Sequence, residues 1–301
     1  MTNRRIARRV ALSVEGQNPR VCTENSEARA TKDRHYPVRT SSVRLARLRE
    51  HLSERDQAII RQVAMLRLMS AKQIQAVHFP SDQHVNETAA TRARQRVLTR
   101  LCRDRLLAAL QRRVGGVRAG SAGLVLTLAP LGQRVIDASG TRRRLHEPGL
   151  RFFEHTLAVS QLVVDVTVAA RAGAMELLSL ETEPACWRQM ADVHGRRWLR
   201  PDAFLALGVD GYELRWFCEV DQATESIPTV LSKCRQYVAY RQTGREQADS
   251  GGVFPRVCWI TPDETRTERI REAIERDRQL PAQLFVVTTR EQAVLALCSM
   301  D

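Results

Sequence analysis

The fold of the first half of the chain is decided by residues 86–106, NETAATRARQRVLTRLCRDRL. Asn86 is a favourable helix N-cap, so we predict a helix from Glu87 to about Leu106. At about 100° per residue, one face of this helix carries the apolar residues Ala90, Val97 and Leu101. Nearly the opposite face carries Arg92, Arg96, Arg100 and Arg103. An apolar stripe backed by an arginine stripe is typical of a helix that enters the major groove of DNA.

The arginine stripe also has a simpler explanation, because most charged stripes on helices are solvated faces. A solvated face usually mixes the two signs, whereas residues 92–118 contain nine arginines and a single acid, Asp104. We therefore predict that this region contacts duplex DNA. The predicted contact residues are Lys72, Arg92, Arg94, Arg96, Arg100, Arg103, Arg112, Arg113 and Arg118.

The sequence on either side of this helix predicts a winged helix. Ser53 and Ser70 are N-caps of two earlier helices that a short break separates, which gives a helix–turn–helix arrangement. Residues 106–110 and 124–128 are predicted strands of a hairpin. The basic segment between them contains four glycines but lacks the Gly-Lys-Ser/Thr sequence of a phosphate-binding loop. We interpret this segment as the wing.

Net charge divides the chain into two halves. The whole chain has 47 basic and 34 acidic residues, a net charge of +13, and nearly all of the basic residues are arginine. Residues 1–150 contain 29 basic and 12 acidic residues (+17), whereas residues 151–301 contain 18 and 22 (−4). Because one guanidinium can donate hydrogen bonds to two oxygens of a phosphate, the first half is predicted to bind a polyanion. A genome rich in G and C would explain the abundance of arginine but not this asymmetry.

The second half alternates helices and strands in the order αβββαβαβα, which predicts a mixed sheet flanked by helices. The fold class is therefore α/β, in four segments: a disordered basic arm (1–48), a winged helix domain (49–138), a linker (139–150) and an α/β domain (151–301). The seven cysteines are scattered, without the C-x-x-C pairs of zinc sites. We find no signal peptide and no apolar run near the ~18 residues of a membrane span, so we expect a cytoplasmic protein with no membrane partner.

Acidic side chains mark the ends of two predicted strands. Asp202 follows Pro201 just before one strand, and Glu219 and Asp221 end the next strand with side chains on the same face. Carboxylates placed in this way could share a divalent cation, and hard oxygen ligands favour Mg²⁺ or Mn²⁺. Ordinary explanations are that Asp202 is a turn residue and that Asp221 caps the following loop.

This order of elements and acids resembles the PD-(D/E)XK nuclease fold. The resemblance implies that Asp202 and Glu219 hold the metal and that a lysine positions the attacking water. Asp221 stands where that lysine belongs, and Lys233 on the following helix is the candidate replacement. Glu154 or His155 on the preceding helix is a candidate ligand or base. Alternatively, Lys233 pairs with a nearby acid, His155 is a core histidine, and the fold is a degenerate nuclease kept for structure or DNA contact.

Several stretches taken together are similar to the replication-relaxation family of actinobacteria. They are LSERD (52–56), MLRLMSAKQI (65–74), HF (78–79), RVGGVRAGSAG (113–123), HTLAV (155–159), RPDAF (200–204), EVDQATES (219–226) and FPRV (254–257). The resemblance implies a protein of plasmids or integrative elements that is linked to the replication and relaxation of DNA. It does not by itself imply an enzyme.

Three functions are compatible with these observations. The first is a DNA-binding accessory or regulatory protein of a mobile element, with double-stranded DNA as its partner. The second is a metal-dependent endonuclease or nickase. Its catalytic set would be Asp202, Glu219, Asp221, Lys233 and His155, with Asp202 and Glu219 as metal ligands. The third is a scaffold whose acidic second half docks a relaxase or a replication initiator. We favour the first function, because position 221 lacks the lysine that the second requires.

Overall fold

A computed structural model describes residues 42–110, 123–136, 150–192 and 195–300 of the chain. All of these residues belong to one compact unit, Thr40–Asp301. The expected wing, with Arg112, Arg113 and Arg118, lies outside the described residues. Most of the basic arm and of the linker also lies outside them.

The described part of the chain contains ten α-helices and ten strands. The helices are α1 (Ser42–His51), α2 (Glu54–Leu66), α3 (Ala71–His78), α4 (Glu87–Arg103), α5 (Pro130–Ile136), α6 (Leu150–Arg171), α7 (Ile227–Gln242), α8 (Arg245–Asp249), α9 (Glu264–Arg276) and α10 (Ala293–Leu297). The strands are β1 (Leu68–Ser70), β2 (Leu107–Leu110), β3 (Val125–Leu128), β4 (Glu176–Thr182), β5 (Arg188–Asp192), β6 (Gly195–Leu199), β7 (Ala203–Val209), β8 (Tyr212–Val220), β9 (Arg256–Thr261) and β10 (Phe285–Thr289).

The caps that the sequence predicts for the first helices are confirmed. Ser53 and Ser70 each accept a hydrogen bond from the backbone of the third helical residue, Asp56 and Gln73, whose side chains accept one in return. Each reciprocal pair satisfies two backbone groups that would otherwise lack partners. Asn86 caps α4 with its side chain, which accepts a hydrogen bond from the backbone N–H of Ala89.

A small antiparallel sheet packs beside these helices, with β1 between α2 and α3 in the sequence and β2 and β3 after α4. Its strand order is β1-β3-β2, so the strand that precedes α3 pairs with the last strand and not with its sequence neighbour. Leu68 faces Thr127, and Leu107 faces Leu128. The apolar face of this sheet packs with α2, α3 and α4 in one buried cluster.

Two predicted boundaries in this region are wrong. Helix α4 ends at Arg103 and not near Leu106, because Arg105 adopts a left-handed conformation (φ 59°) that a helix cannot continue. The arm was expected to be disordered to residue 48, but α1 begins at Ser42. Arg49 fastens this helix to α5 by donating hydrogen bonds to main-chain carbonyls, and Leu45 and Leu48 pack on the core.

Helix α6 joins the two halves of the described chain. Val163 and Val164 belong to the core of the first half, whereas Leu162 and Val166 belong to the core of the second. Hydrogen bonds cross the same junction, for example from the Ser160 hydroxyl to the carbonyl of Leu68. A helix that is covered on two sides has an apolar sequence nearly all round.

The membrane expectation from the sequence needs one correction at α6. Residues Phe152–Arg171 are long and apolar enough, by length and composition alone, to cross a membrane, and 44% of the window is buried. The expectation that no apolar run reaches this length is therefore too strong. The packing of α6 against two cores is a second explanation for its composition.

The second half is built on a five-stranded mixed sheet, which confirms the expected α/β class. Its order is β10-β9-β8-β7-β4, with parallel pairs from β10 to β8 and antiparallel pairs beyond. Alternate residues of β8 face opposite sides, so Phe217 packs with α7 and α9 while Trp216 and Cys218 pack with α6 and α10. The sheet is thus covered by helices on both faces.

The sequence analysis missed two elements in this half. Strands β5 and β6 form a separate antiparallel hairpin, and α8 is a short helix after α7. The hairpin carries polar and charged residues on most positions, so it lacks the apolar runs from which strands were assigned.

Candidate functional site

The outer face of α4 carries two arginines that form no ion pair with any acid in the described part of the chain. The side chains of Arg92 and Arg96 are exposed, and neither has an ion-pair partner among the described residues. Arg103 is also exposed (72% of its side chain) but lies 3.2 Å from the carboxylate of Asp104. Lys72 is exposed on α3. These four cations are the members of the predicted contact set that point to solvent in the described chain.

Two other members of the contact set are engaged in packing. The guanidinium of Arg100 lies 2.6 Å from Asp56 Oδ1, and the Asp56 side chain is 2% exposed. Arg94 donates a hydrogen bond of 2.7 Å to Gln75 on α3. Both arginines therefore tie α4 to the helices behind it. Sequence spacing places Arg100 on the same stripe as Arg96, but the spacing does not reveal its buried partner.

A second candidate region is a buried cluster of charged groups in the α/β half. Asp202 precedes β7, Glu219 lies in β8, His155 lies in α6, and Lys233 lies in α7. The structure brings these four predicted residues together from four separate elements. Asp202 and Glu219 are almost fully buried, with 7% and 1% exposed.

Every carboxylate oxygen of this cluster accepts a hydrogen bond from the protein. His155 Nε2 lies 2.9 Å from Asp202 Oδ1, and the backbone N–H of Val220 donates to Asp202 Oδ2 at 2.7 Å. Lys233 Nζ donates to one oxygen of Glu219, and the Tyr237 hydroxyl donates to the other. The acids are therefore held in place by opposite charges and by well-placed donors.

The pKa values in the cluster reflect burial against charge compensation. Burial raises the pKa of Glu219 to about 7, although Lys233 opposes this shift. Burial acts to lower the pKa of Lys233, but the carboxylates of Glu219 and Asp202 outweigh it and raise that pKa. The pKa of Asp202 is lowered, because the hydrogen bond with His155 and the charge of Lys233 overcome the effect of burial. The pKa values of the two acids are thus shifted in opposite directions.

Asp221, a predicted member of the catalytic set, is engaged elsewhere. Arg266 on α9 donates to both of its carboxylate oxygens, at 2.7 and 3.3 Å, and both side chains are buried. Asp221 lies just beyond the end of β8 at Val220, and Arg266 belongs to α9, on the same side of the sheet as α7. Asp221 therefore links the end of β8 to α9.

Two residues of these sites were not anticipated from the sequence. Tyr237 stands four residues after Lys233, so both side chains reach Glu219 from one face of α7. That spacing was the available signal. Arg266 offered no comparable signal, because 45 residues separate it from Asp221.

The donor set does not fit the divalent cation that the nuclease resemblance implies. Among the residues that the structure describes, no group of three or more His, Cys, Asp or Glu side chains is placed to hold a metal ion. The ammonium of Lys233 already supplies positive charge to Glu219 and Asp202. Each of the four carboxylate oxygens already accepts a hydrogen bond, so Mg²⁺, which needs several oxygen ligands, would have to compete with these donors.

The cluster can be reached from two sides. A pocket lined by Arg67, Thr182 and Glu183 opens on His155 and Asp202. A shallower groove between β6 and α7 is lined in part by Lys233. The acids themselves are enclosed between these two openings.

Comparison with known proteins gives one match. The sequence model of the replication-relaxation family matches residues 60–257, well over half of the 301 residues. No curated protein and no solved structure matches the chain. The matched range contains both regions described above, from the arginines of α4 to the cluster around Glu219. The chain therefore belongs to the replication-relaxation family.

Proposed function

We propose that this protein binds duplex DNA as an accessory or regulatory protein of plasmid or mobile-element replication. Membership of the replication-relaxation family suggests a role in such replication. The observation that carries the proposal is the pair of exposed arginines on α4, Arg92 and Arg96, for which the described residues supply no acidic partner. They lie on the side of the helix opposite the buried Ala90 and Leu101.

The arrangement of the first half supports a winged helix. The order is α2, β1, α3, α4, β2, β3, and β1 pairs with β3 at the edge of a three-stranded sheet. In such a domain the third helix lies in the major groove and the loop between the last two strands contacts the backbone. Residues 111–122, with Arg112, Arg113 and Arg118, stand between β2 and β3 in the sequence and lie outside the described residues.

The salt dependence of DNA binding tests this assignment. Each arginine that neutralises a phosphate releases counterions, so the slope of log K against log salt changes by roughly 0.9 per contact. The double variant Arg92→Ala plus Arg96→Ala should lower the steepness of this slope by about 2. Its affinity for a short duplex should fall with little dependence on the DNA sequence.

The matched control removes two exposed arginines from another surface. Arg269→Ala plus Arg278→Ala, in and after α9, changes the net charge by the same amount. Fluorescence anisotropy would measure the affinity of each full-length variant at several salt concentrations. The control should keep the wild-type slope. If both double variants lose the same affinity and slope, net charge alone governs binding and the α4 interface is wrong.

A metal-dependent endonuclease is the second candidate. The observation in its favour is that Asp202, Glu219 and Lys233 do come together. The basic groups already bonded to these carboxylates, and the lack of a metal-binding group of three side chains among the described residues, argue against it. We therefore expect no nicking of supercoiled plasmid with Mg²⁺ or Mn²⁺. Metal-dependent nicking that Asp202→Ala abolishes would overturn this view and make the protein an enzyme.

A further inference from the structure

The β5–β6 hairpin is a basic feature in an otherwise acidic half of the chain. Residues 187–200, WRQMADVHGRRWLR, contain four arginines and one acid, Asp192. Residues 151–301 as a whole have a net charge of −4. The hairpin lies apart from the five-stranded sheet, and β6 packs against α7. Arg188 is ion-paired with Glu181 and Glu246, so Arg200 is the arginine of this segment that lines the groove beside that helix.

An exposed tryptophan stands on this hairpin. Trp198 is 42% exposed, whereas the next residue of the strand, Leu199, is fully buried. The residue opposite Trp198 in β5 is Gln189, so no aromatic side chain covers it from the paired strand. The other hairpin tryptophan, Trp187, is covered by the guanidinium of Arg200 at 4.7 Å. Trp198 thus presents indole surface to solvent.

Trp198 lies at the edge of the groove between β6 and α7. The helix contributes polar side chains to the groove, among them Thr229, Ser232 and Gln236. Arg200, which is exposed, lies on the strand side. Glu225 is the acid of the lining. An aromatic face, a guanidinium and hydroxyl or amide groups are the groups that bind a nucleobase and its phosphate.

We propose that this groove binds single-stranded DNA, with a base stacked on Trp198 and a neighbouring phosphate on Arg200. A single strand is specified because the faces of paired bases are already stacked within a duplex, whereas an unpaired base can stack on an indole. The inference goes beyond the proposed function, since the site, the form of DNA and the residues all differ from those of α4.

Binding of oligo(dT) to the full-length protein tests the groove. All proteins in this test, including the parent with which the variants are compared, would carry Arg92→Ala plus Arg96→Ala. Contacts of duplex type on α4 then do not contribute. Trp198→Ala should weaken binding by about 5- to 100-fold, the range that loss of one stacked base produces. Trp198→Phe should recover part of the loss. The ratio of the oligo(dT) affinities of the parent and of Trp198→Ala should stay constant as the salt concentration rises, because salt does not screen stacking.

Two controls separate stacking from other effects. Tyr212→Ala removes another exposed aromatic side chain, outside the groove lining, and should leave oligo(dT) affinity unchanged. Intrinsic fluorescence should be quenched by oligo(dT), and Trp198→Phe should remove most of that quenching. Trp216 and Trp259 are buried, so the quenching that remains in Trp198→Phe would come from the partly buried Trp187 under Arg200.

The proposal is overturned if Trp198→Ala binds oligo(dT) as tightly as its parent. It is also overturned if polyglutamate displaces oligo(dT) at equal charge concentration, since the groove would then bind any polyanion and not a stacked base. Failure of the α4 proposal would show differently, as an unchanged duplex salt slope in the parent double variant. The two results are therefore independent.

Discussion

Loss of the Arg100 side chain should destabilise the protein, whereas loss of Arg96 should not. Arg100 bonds to Asp56 at 2.6 Å, and Asp56 is 2% exposed. In Arg100→Ala, Asp56 Oδ1 loses its partner, and Oδ2 keeps the backbone N–H of Ser53. A buried charge left without its partner typically costs about 3–5 kcal/mol.

The expected magnitude is smaller than that range, because water can reach this pair. The Arg100 side chain is 37% exposed, so solvent partly replaces it around Asp56. We expect a loss of about 1–3 kcal/mol in the free energy of unfolding. For a chain of this size, that corresponds to a fall of roughly 2–12 °C in melting temperature. Arg96 is exposed, so Arg96→Ala should change stability by less than about 0.5 kcal/mol.

Urea unfolding of four variants measures the effect as a double-mutant cycle. The variants are wild type, Arg100→Ala, Asp56→Asn and the double variant. In the Asp56→Asn background no buried charge is stranded, so Arg100→Ala should cost less than about 1 kcal/mol. The duplex salt slope of Arg100→Ala should equal that of wild type at temperatures well below its melting point.

Two results would refute this reasoning. Equal destabilisation by Arg96→Ala and Arg100→Ala would show that the Asp56 pair is not the cause. An undiminished cost of Arg100→Ala in the Asp56→Asn background would show the same. A shallower salt slope in Arg100→Ala would return Arg100 to the DNA-contact set.

Two further predictions concern the first half. Burial, with Arg171 and Arg55 nearby, lowers the pKa of His78 to about 4. As the pH falls, this histidine therefore takes up its proton in the unfolded chain before it does so in the folded one. The free energy of unfolding should fall by up to about 3 kcal/mol from pH 6.5 to pH 4. Urea unfolding at several pH values should show a weaker decline in His78→Gln, and an equal decline would exclude His78 as its source. Gly132→Ala should destabilise by about 3 kcal/mol, since its Cβ would lie 2.1 Å from the carbonyl oxygen of Leu106. Gly123→Ala, whose Cβ meets nothing within 4 Å, is the neutral control, and equal unfolding midpoints would contradict the predicted clash.

Local signals made the helices of the first half predictable. Ser53, Ser70 and Asn86 act within three residues of the groups that they cap, so the sequence alone contains both partners. The first residues of α1 were missed because the surrounding sequence is rich in arginine and poor in apolar residues. Its stability depends on contacts of Arg49 and Leu48 with the rest of the fold.

The sequence predicted which residues form the candidate cluster but not the hydrogen bonds that their carboxylates accept. Strand ends and helix positions indicated Asp202, Glu219, Lys233 and His155, and the structure brings them together. The hydrogen bonds to their oxygens come in part from Tyr237 and from the backbone of Val220. Whether a carboxylate is free for a cation is a property of all its neighbours, and these come from separate elements.

By itself, the sequence determined the α/β class, the charge asymmetry between the halves and the arginine face of α4. These properties depend on composition or on residues a few positions apart. Only the tertiary structure decided that Arg100 forms an ion pair with Asp56, that Asp221 forms one with Arg266, and that Trp198 is exposed beside α7. The physical reason is that a charged or aromatic side chain acquires its role from the group that it meets. Here those groups lie 44 and 45 residues away for the two ion pairs, beyond the reach of any local pattern.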